Sequence, residues 1–393
     1  MGAPFDQTAV AGASTLSRAD AAVYGEALAP DIAVRTYLEP LKKYLRLAGA
    51  TELWLNRPGE IILEVGGEVR YIKEPSLTFA ALEALAQAVA IASPQQQHVG
   101  IEQPLLSATL PDGERIQVVL PPAVEPGFVS ISIRIPNPEI IPLDVYETKG
   151  AFKNFAWNHP KQADEGESKG GPKLFGLSDD DATLGGMLGR GELKDFLIAA
   201  VRAKKNIGVV GDTGSGKTTL MKSMCQWIPT SERLVTIEDV RELLLPEHAN
   251  RVHLLYAKAR AGGKAVTPAE LIAACMRMAP SRVLLAELRG GEAWDFLKLL
   301  TTGHSGSVTS WHAESCALAF ERFMFMAKEN IEAASLARSE LKHLALLTLD
   351  IVIHVRRILV PENGVVKVVR YVDEVFFDPW AKNAARFGHH EAN

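Results

Sequence analysis

Residues 211–218 read Gly211-Asp212-Thr213-Gly214-Ser215-Gly216-Lys217-Thr218, and no other stretch limits the possible folds as sharply. The octapeptide fits G-x-x-x-x-G-K-[ST]. An apolar run, residues 206–210, precedes it and reads as a buried strand. Helix formers follow over residues 219–228 and stop at Pro229. Strand, glycine loop and helix together predict an anion site, in which backbone N–H groups converge on a phosphate and the helix N-terminus adds its positive end. Lys217 then reaches the β- and γ-phosphates, the Thr218 hydroxyl ligates Mg²⁺, and Thr219 completes the nucleotide lining. The plain alternative is a glycine turn before a helix. Two fixed glycines with an adjacent Lys-Thr argue against it.

A chain of 393 residues has room for two domains and a large core. Its 42 basic and 47 acidic residues give a net charge of −5, which argues against stable nucleic-acid binding on a basic face. Only a small basic patch remains, at Arg202, Lys204 and Lys205. Three scattered cysteines, Cys225, Cys275 and Cys316, form no C-x-x-C and read as buried reduced thiols of a cytoplasmic protein. Residues 1–30 contain Asp6, Asp20 and Glu26 without an apolar core, so they read as a loose leader rather than a secretory signal. The apolar stretch 344–360 is broken by Asp350, His354, Arg356 and Arg357, so no membrane span is expected.

Residues 31–135 read as a smaller mixed α+β domain. Strands are expected over 52–55 and 60–65, with a Gly66-Gly67 hairpin into 68–72. A helix over 77–91 and strands over 115–120 and 128–135 complete it. In the last strand Val129, Ile131, Ile133 and Ile135 alternate with Ser130, Ser132 and Arg134, so one face is buried. From that pattern alone, Arg134 and Arg115 read as solvated. Residues 136–190 form a long linker: Pro136, Pro138, Pro142, Pro172 and the run Asp179-Asp180-Asp181 discourage regular structure. Tyr146, Phe152, Phe155, Trp157 and Phe175 are too many aromatics for a free tether, so part of it packs on a surface. Residues 191–393 alternate strands and helices. Strands are expected over 234–237, 252–256, 283–286, 307–309 and 350–355, and Thr267-Pro268-Ala269-Glu270 is a capping box opening a helix over 268–279. Such alternation predicts an α/β domain with a mainly parallel sheet covered on both faces. Asn363-Gly364 marks a hairpin.

Three further stretches place polar residues directly after apolar strands, where open parallel sheets put their ligand crevice. Residues 234–237 run into Glu238-Asp239-Val240-Arg241-Glu242, acids able to polarise an attacking water. Residues 282–286 run into Glu287, an acid suited to hold Mg²⁺ through water or to act as base. Residues 302–313 bracket a strand with His304 and His312, suited to sensing the γ-phosphate. Singly, each has a dull reading as capping acids, a surface acid or satisfied histidines. Their order along one domain is what carries weight.

That order resembles the traffic ATPases of bacterial type IV secretion and conjugation systems, within a superfamily that includes type II secretion and type IV pilus ATPases. The resemblance covers roughly residues 51–135 and 192–357. It implies a RecA-like P-loop NTPase C-terminal domain under an N-terminal domain, with ATP between the two, in a ring homo-hexamer. It implies that Arg115 and Arg134 reach the phosphates from the N-terminal domain, with Arg241 a further phosphate contact. It implies partners among the inner-membrane and cytoplasmic components of a secretion apparatus, with peripheral association at the cytoplasmic face of the inner membrane. Ala286 departs from the glycine expected before the acid, and leaves Glu287 in place. Which of Glu238 and Glu287 is the base stays open. Type II secretion motors carry paired C-x-x-C motifs that three scattered cysteines do not supply; pilus retraction motors stay open as an alternative, although the linker 136–190 is longer than in the pilus motors. A nucleotide-dependent scaffold without turnover is disfavoured by Lys217, Glu238, Glu287 and both arginines. A DNA-translocating helicase is disfavoured by the acidic balance.

Overall fold

A computed structural model describes residues 31–93, 98–136, 139–158, 177–256, 266–362 and 365–387. The expected leader, Pro138, the linker positions Pro172 and Phe175, and the Asn363-Gly364 turn lie outside the described residues. Two compact units divide the chain. The first comprises Met1–Leu47, Leu53–Ile62 and Ile72–Arg134; the second comprises Ala48–Glu52, Leu63–Tyr71 and Ile135–Asn393.

In chain order the N-terminal elements are α1 (Ile32–Tyr37), α2 (Glu39–Leu45), β1 (Ala50–Leu55), β2 (Glu60–Val65), β3 (Glu68–Lys73), α3 (Phe79–Ala92), β4 (Leu105–Thr109), β5 (Arg115–Val119) and β6 (Ser130–Arg134). Thr78 caps α3, its hydroxyl accepting the Ala81 N–H at 3.2 Å. Leu82, Leu85 and Val89 then fall on one buried helical stripe. Strands β4, β5 and β6 form an antiparallel meander. Ile131 and Ile133 are fully buried on β6, as the period-two pattern predicts.

The elements that follow begin with α4 (Leu143–Thr148), β7 (Ala156–Asn158), α5 (Asp179–Gly189), α6 (Leu193–Arg202), β8 (Ile207–Val210) and α7 (Lys217–Cys225). Next come β9 (Leu234–Glu238), β10 (Arg251–Leu255), α8 (Pro268–Cys275), β11 (Arg282–Leu285), α9 (Glu292–Thr301) and β12 (Val308–Trp311). The last are α10 (Cys316–Lys328), α11 (Ile331–Ala334), α12 (Arg338–Thr348), β13 (Ile351–Glu362), β14 (Val365–Phe377) and α13 (Pro379–Phe387). The sheet of the second unit runs β10-β9-β11-β12-β8-β13-β14. It is parallel from β10 through β13, and β14 pairs antiparallel with β13. Ile207 and Val209 of β8 join one apolar core and Val210 joins the other, so both faces are covered.

The region expected to be an irregular linker contains regular structure. Ser178 caps α5 by accepting the Asp181 N–H at 3.1 Å, so the acid run forms the first turn of a helix, where its charge meets the positive helix end. β7 adds to β14 in parallel. Phe152 is buried, and Tyr146, Phe155 and Trp157 pack against the core, as the aromatic content predicts. The three cysteines are free and buried, and burial pushes the Cys225 thiol up to about 12. No helix among the described residues is long and apolar enough to cross a membrane.

Candidate functional site

The phosphate loop leaves the C-terminal end of β8, with β12 on one side and β13 on the other. Two glycines are required there. A Cβ on Gly211 would meet the Val355 carbonyl oxygen at 2.1 Å. Gly216 caps α7 at φ 98°, in the left-handed region. Asp212 and Thr213 are exposed, Gly214 and Thr218 are half-buried, and Thr219 lies in the first turn of α7. The Ser215 hydroxyl is buried without a hydrogen-bond partner among the described residues.

Lys217 folds back over the loop. Its Nζ donates to Gly211 O at 2.8 Å and Asp212 O at 3.0 Å, and lies 3.4 Å from His312 Nδ1. His312 follows β12 and places Nε2 3.0 Å from Glu287 Oε1. Glu287 follows β11, and its other oxygen takes Arg289 Nη2 at 2.6 Å and Nε at 2.7 Å. Arg289 also reaches Asp239, 2.9 Å away. Burial pushes the Glu287 carboxyl up, but His312 and Arg289 outweigh it and hold it down at about 2. Lys217, His312, Glu287, Arg289 and Asp239 thus form one polar chain along three neighbouring strand ends. Arg289 was not singled out from the sequence, and Asp239 was read only as one of the acids that follow residues 234–237. Arg289 stands two residues from Glu287, but its partner Asp239 lies fifty positions away on another strand.

Glu238 takes a different position. It is fully buried, and its carboxylate accepts the Glu242 and Leu243 N–H groups at 2.8 Å each. Thr236 Oγ1 lies 2.8 Å and His253 Nδ1 3.3 Å from its other oxygen. Arg241 is exposed on the turn that Glu238 anchors. His304 is set away from His312. It precedes β12 while His312 follows it, so the strand separates them by about 13 Å at roughly 3.3 Å per residue. Its Nδ1 lies 3.3 Å from Thr302 Oγ1, apart from the chain of contacts that holds His312. In the first unit, Arg115 and Arg134 stand directly opposite on β5 and β6, both half-buried.

With this geometry described, similarity to known proteins can be placed on it. The family model "Type II/IV secretion system protein" matches residues 186–374, a span holding the loop, Glu238, Glu287 and His312. The type IV secretion system protein VirB11 of Brucella suis is 40% identical over 360 residues, covering 91% of this chain and 94% of the relative. The chain belongs to the type II/IV secretion ATPase family. Type IV secretion system protein PtlH of Bordetella pertussis is 41% identical over 332 residues, 84% of this chain and 92% of the relative. The X-ray structure of the Yersinia pseudotuberculosis ATPase DotB shares the fold at TM-score 0.52 and 15% identity, covering 89% of this chain and 80% of that one. In this secretion ATPase of the type IV kind the glycine loop follows β8, between β12 and β13.

Proposed function

We propose that the strand ends of β8, β11 and β12 hydrolyse ATP with Mg²⁺, and that a homo-hexamer of this chain drives assembly of, or transfer through, a type IV secretion apparatus. The apparatus reading places it in the cytoplasm, against the inner membrane and its partner components. One observation carries the chemistry: the Lys217–His312–Glu287 chain aligned at the mouth of the phosphate loop. The orphaned, buried Ser215 hydroxyl and the loop amides suit a phosphate, and the Thr218 hydroxyl with an ionised Glu287 suits Mg²⁺. The metal supplies neutralisation of the β- and γ-phosphate oxygens.

Lys217 exchanges its two loop carbonyls for phosphate oxygens, a charge-assisted interaction worth roughly twice a neutral one. Glu287, held ionised by its neighbours, orients water, and His312 fixes the carboxylate while sensing the γ-phosphate end. Glu238, saturated by four donors, is the anchor of the 238–243 turn rather than the base. Arg115 and Arg134 contribute positive charge to the triphosphate. Arg241 plays at most a secondary part in this reading. The test is ATP turnover by Lys217→Ala, which is expected to vanish. Hydrolysis persisting at the wild-type rate contradicts the assignment.

A further inference from the structure

An arginine pair lies beside the phosphate loop, on its β13 side. Arg357 of β13 and Arg370 of β14 are directly opposite in register, an arrangement of like charges that costs stability unless an anion answers it. The anion is Glu64. This residue belongs to the segment Leu63–Tyr71 of the second unit, where Glu68 pairs with Lys367 of β14. The Glu64 side chain is 2% exposed; one oxygen accepts Arg370 Nη2 at 2.7 Å and the other Arg357 Nη2 at 2.9 Å. Burial pulls this carboxyl toward the neutral acid, yet Arg370 and Arg357 prevail and hold it below its ordinary range.

Both arginines touch the loop. Arg370 Nε donates to Gly214 O at 2.8 Å, and a Cβ on Gly216 would lie 3.4 Å from Arg370 Cδ. The Cβ position of Gly214 is 3.8 Å from Arg357 Cδ and Nε. Arg357 Nε is buried and has no hydrogen-bond partner among the described residues. In a trans peptide the C=O and the following N–H point opposite ways. Arg370 fixes the Gly214 carbonyl, and the Ser215 N–H on the opposite side of that peptide donates to Asp212 O at 3.2 Å, closing the turn of the loop. One carboxylate against two guanidiniums also leaves a positive excess beside the loop.

We propose that Glu64, Arg357 and Arg370 form a brace that sets the phosphate loop in its anion-binding shape, with Arg370 as the positioning residue for the Gly214–Ser215 peptide. The brace sits on the β13 side of β8, while His312 and Glu287 sit on the β12 side, so it acts on phosphate capture rather than on hydrolysis. This inference rests on the nucleotide reading of the loop.

The experiment is calorimetric titration of the full chain with MgADP, alongside the melting temperature without nucleotide. Arg370→Gln is expected to weaken MgADP about tenfold, the scale of one charge-assisted hydrogen bond, in a protein that still melts cooperatively without nucleotide, at a lower temperature because buried Glu64 loses one of its two cations. Arg370→Lys is expected to stay equally weak, because an ammonium lacks the rigid fork that spans carbonyl and carboxylate together. Glu64→Gln is expected to lose about threefold or more, and it decides alone should the Arg370 variants not fold. Affinity loss below threefold in Arg370→Gln and Glu64→Gln, or full rescue by Arg370→Lys, overturns the brace. Lys217→Ala separates the two ideas: if it keeps MgADP affinity, the nucleotide reading itself fails.

Discussion

Glu238 and Glu287 end neighbouring parallel strands, with Leu285 paired to Ile237 and the Ala286 N–H donating to Ile237 O at 3.0 Å. The two acids are nevertheless built for different work. Glu238 is sealed from water and held mainly by backbone N–H groups and a hydroxyl, none of which leaves when a ligand arrives. Glu287 keeps a partly open side chain and is held by His312 and Arg289, groups able to change partners. A carboxylate whose neighbours are immobile fixes a turn. One held by side chains that can change partners is free to take part in chemistry.

The sharpest way to break this contrast is to remove the sealed acid. Glu238→Ala strands two amides, a hydroxyl and an imidazole in a dry interior, and at about 1–3 kcal/mol for each unsatisfied group the loss reaches several kcal/mol. Denaturant unfolding is expected to show it directly, whereas a variant as stable as wild type denies the anchoring role. A smaller effect should come from the open acid's cation. The Glu287 carboxyl lies at about 2 against an ordinary 4.5, so its stabilising share is complete above the ordinary value and fades as pH falls toward 2. Arg289→Ala raises that carboxyl toward the ordinary range, so the fading moves to higher pH. An acid titration followed by circular dichroism should show the midpoint move upward. An unmoved midpoint means Arg289 does not hold Glu287.

Much of the site was legible because it is local. The loop, its strand and its helix are one continuous segment. The Thr267 cap is another, with its capping box formed by Glu270 as the spacing predicts. What sequence concealed depends on partners far along the chain. The Asp179–Asp181 run reads as a breaker until Ser178 is seen capping it. β13 continues through His354, Arg356 and Arg357, polar residues that broke the apolar pattern, with a register shift against β14 between His354 and Val355. His304 and His312 bracket a strand, as the sequence reading has it, and only His312 joins Glu287 and Lys217 in the chain at the loop. Arg370 and Glu64 reach the loop from 156 and 150 residues away, beyond any periodicity.

The central claim is that turnover depends on Glu287 far more than binding does. The measurement is MgATP hydrolysis by Glu287→Gln, taken beside its MgATP affinity. The account predicts kcat lowered by about 10²-fold or more, the scale of a lost acid–base group, with a much smaller loss of MgATP affinity from the altered metal ligand. Turnover at the wild-type rate in a variant that binds MgATP normally would contradict it.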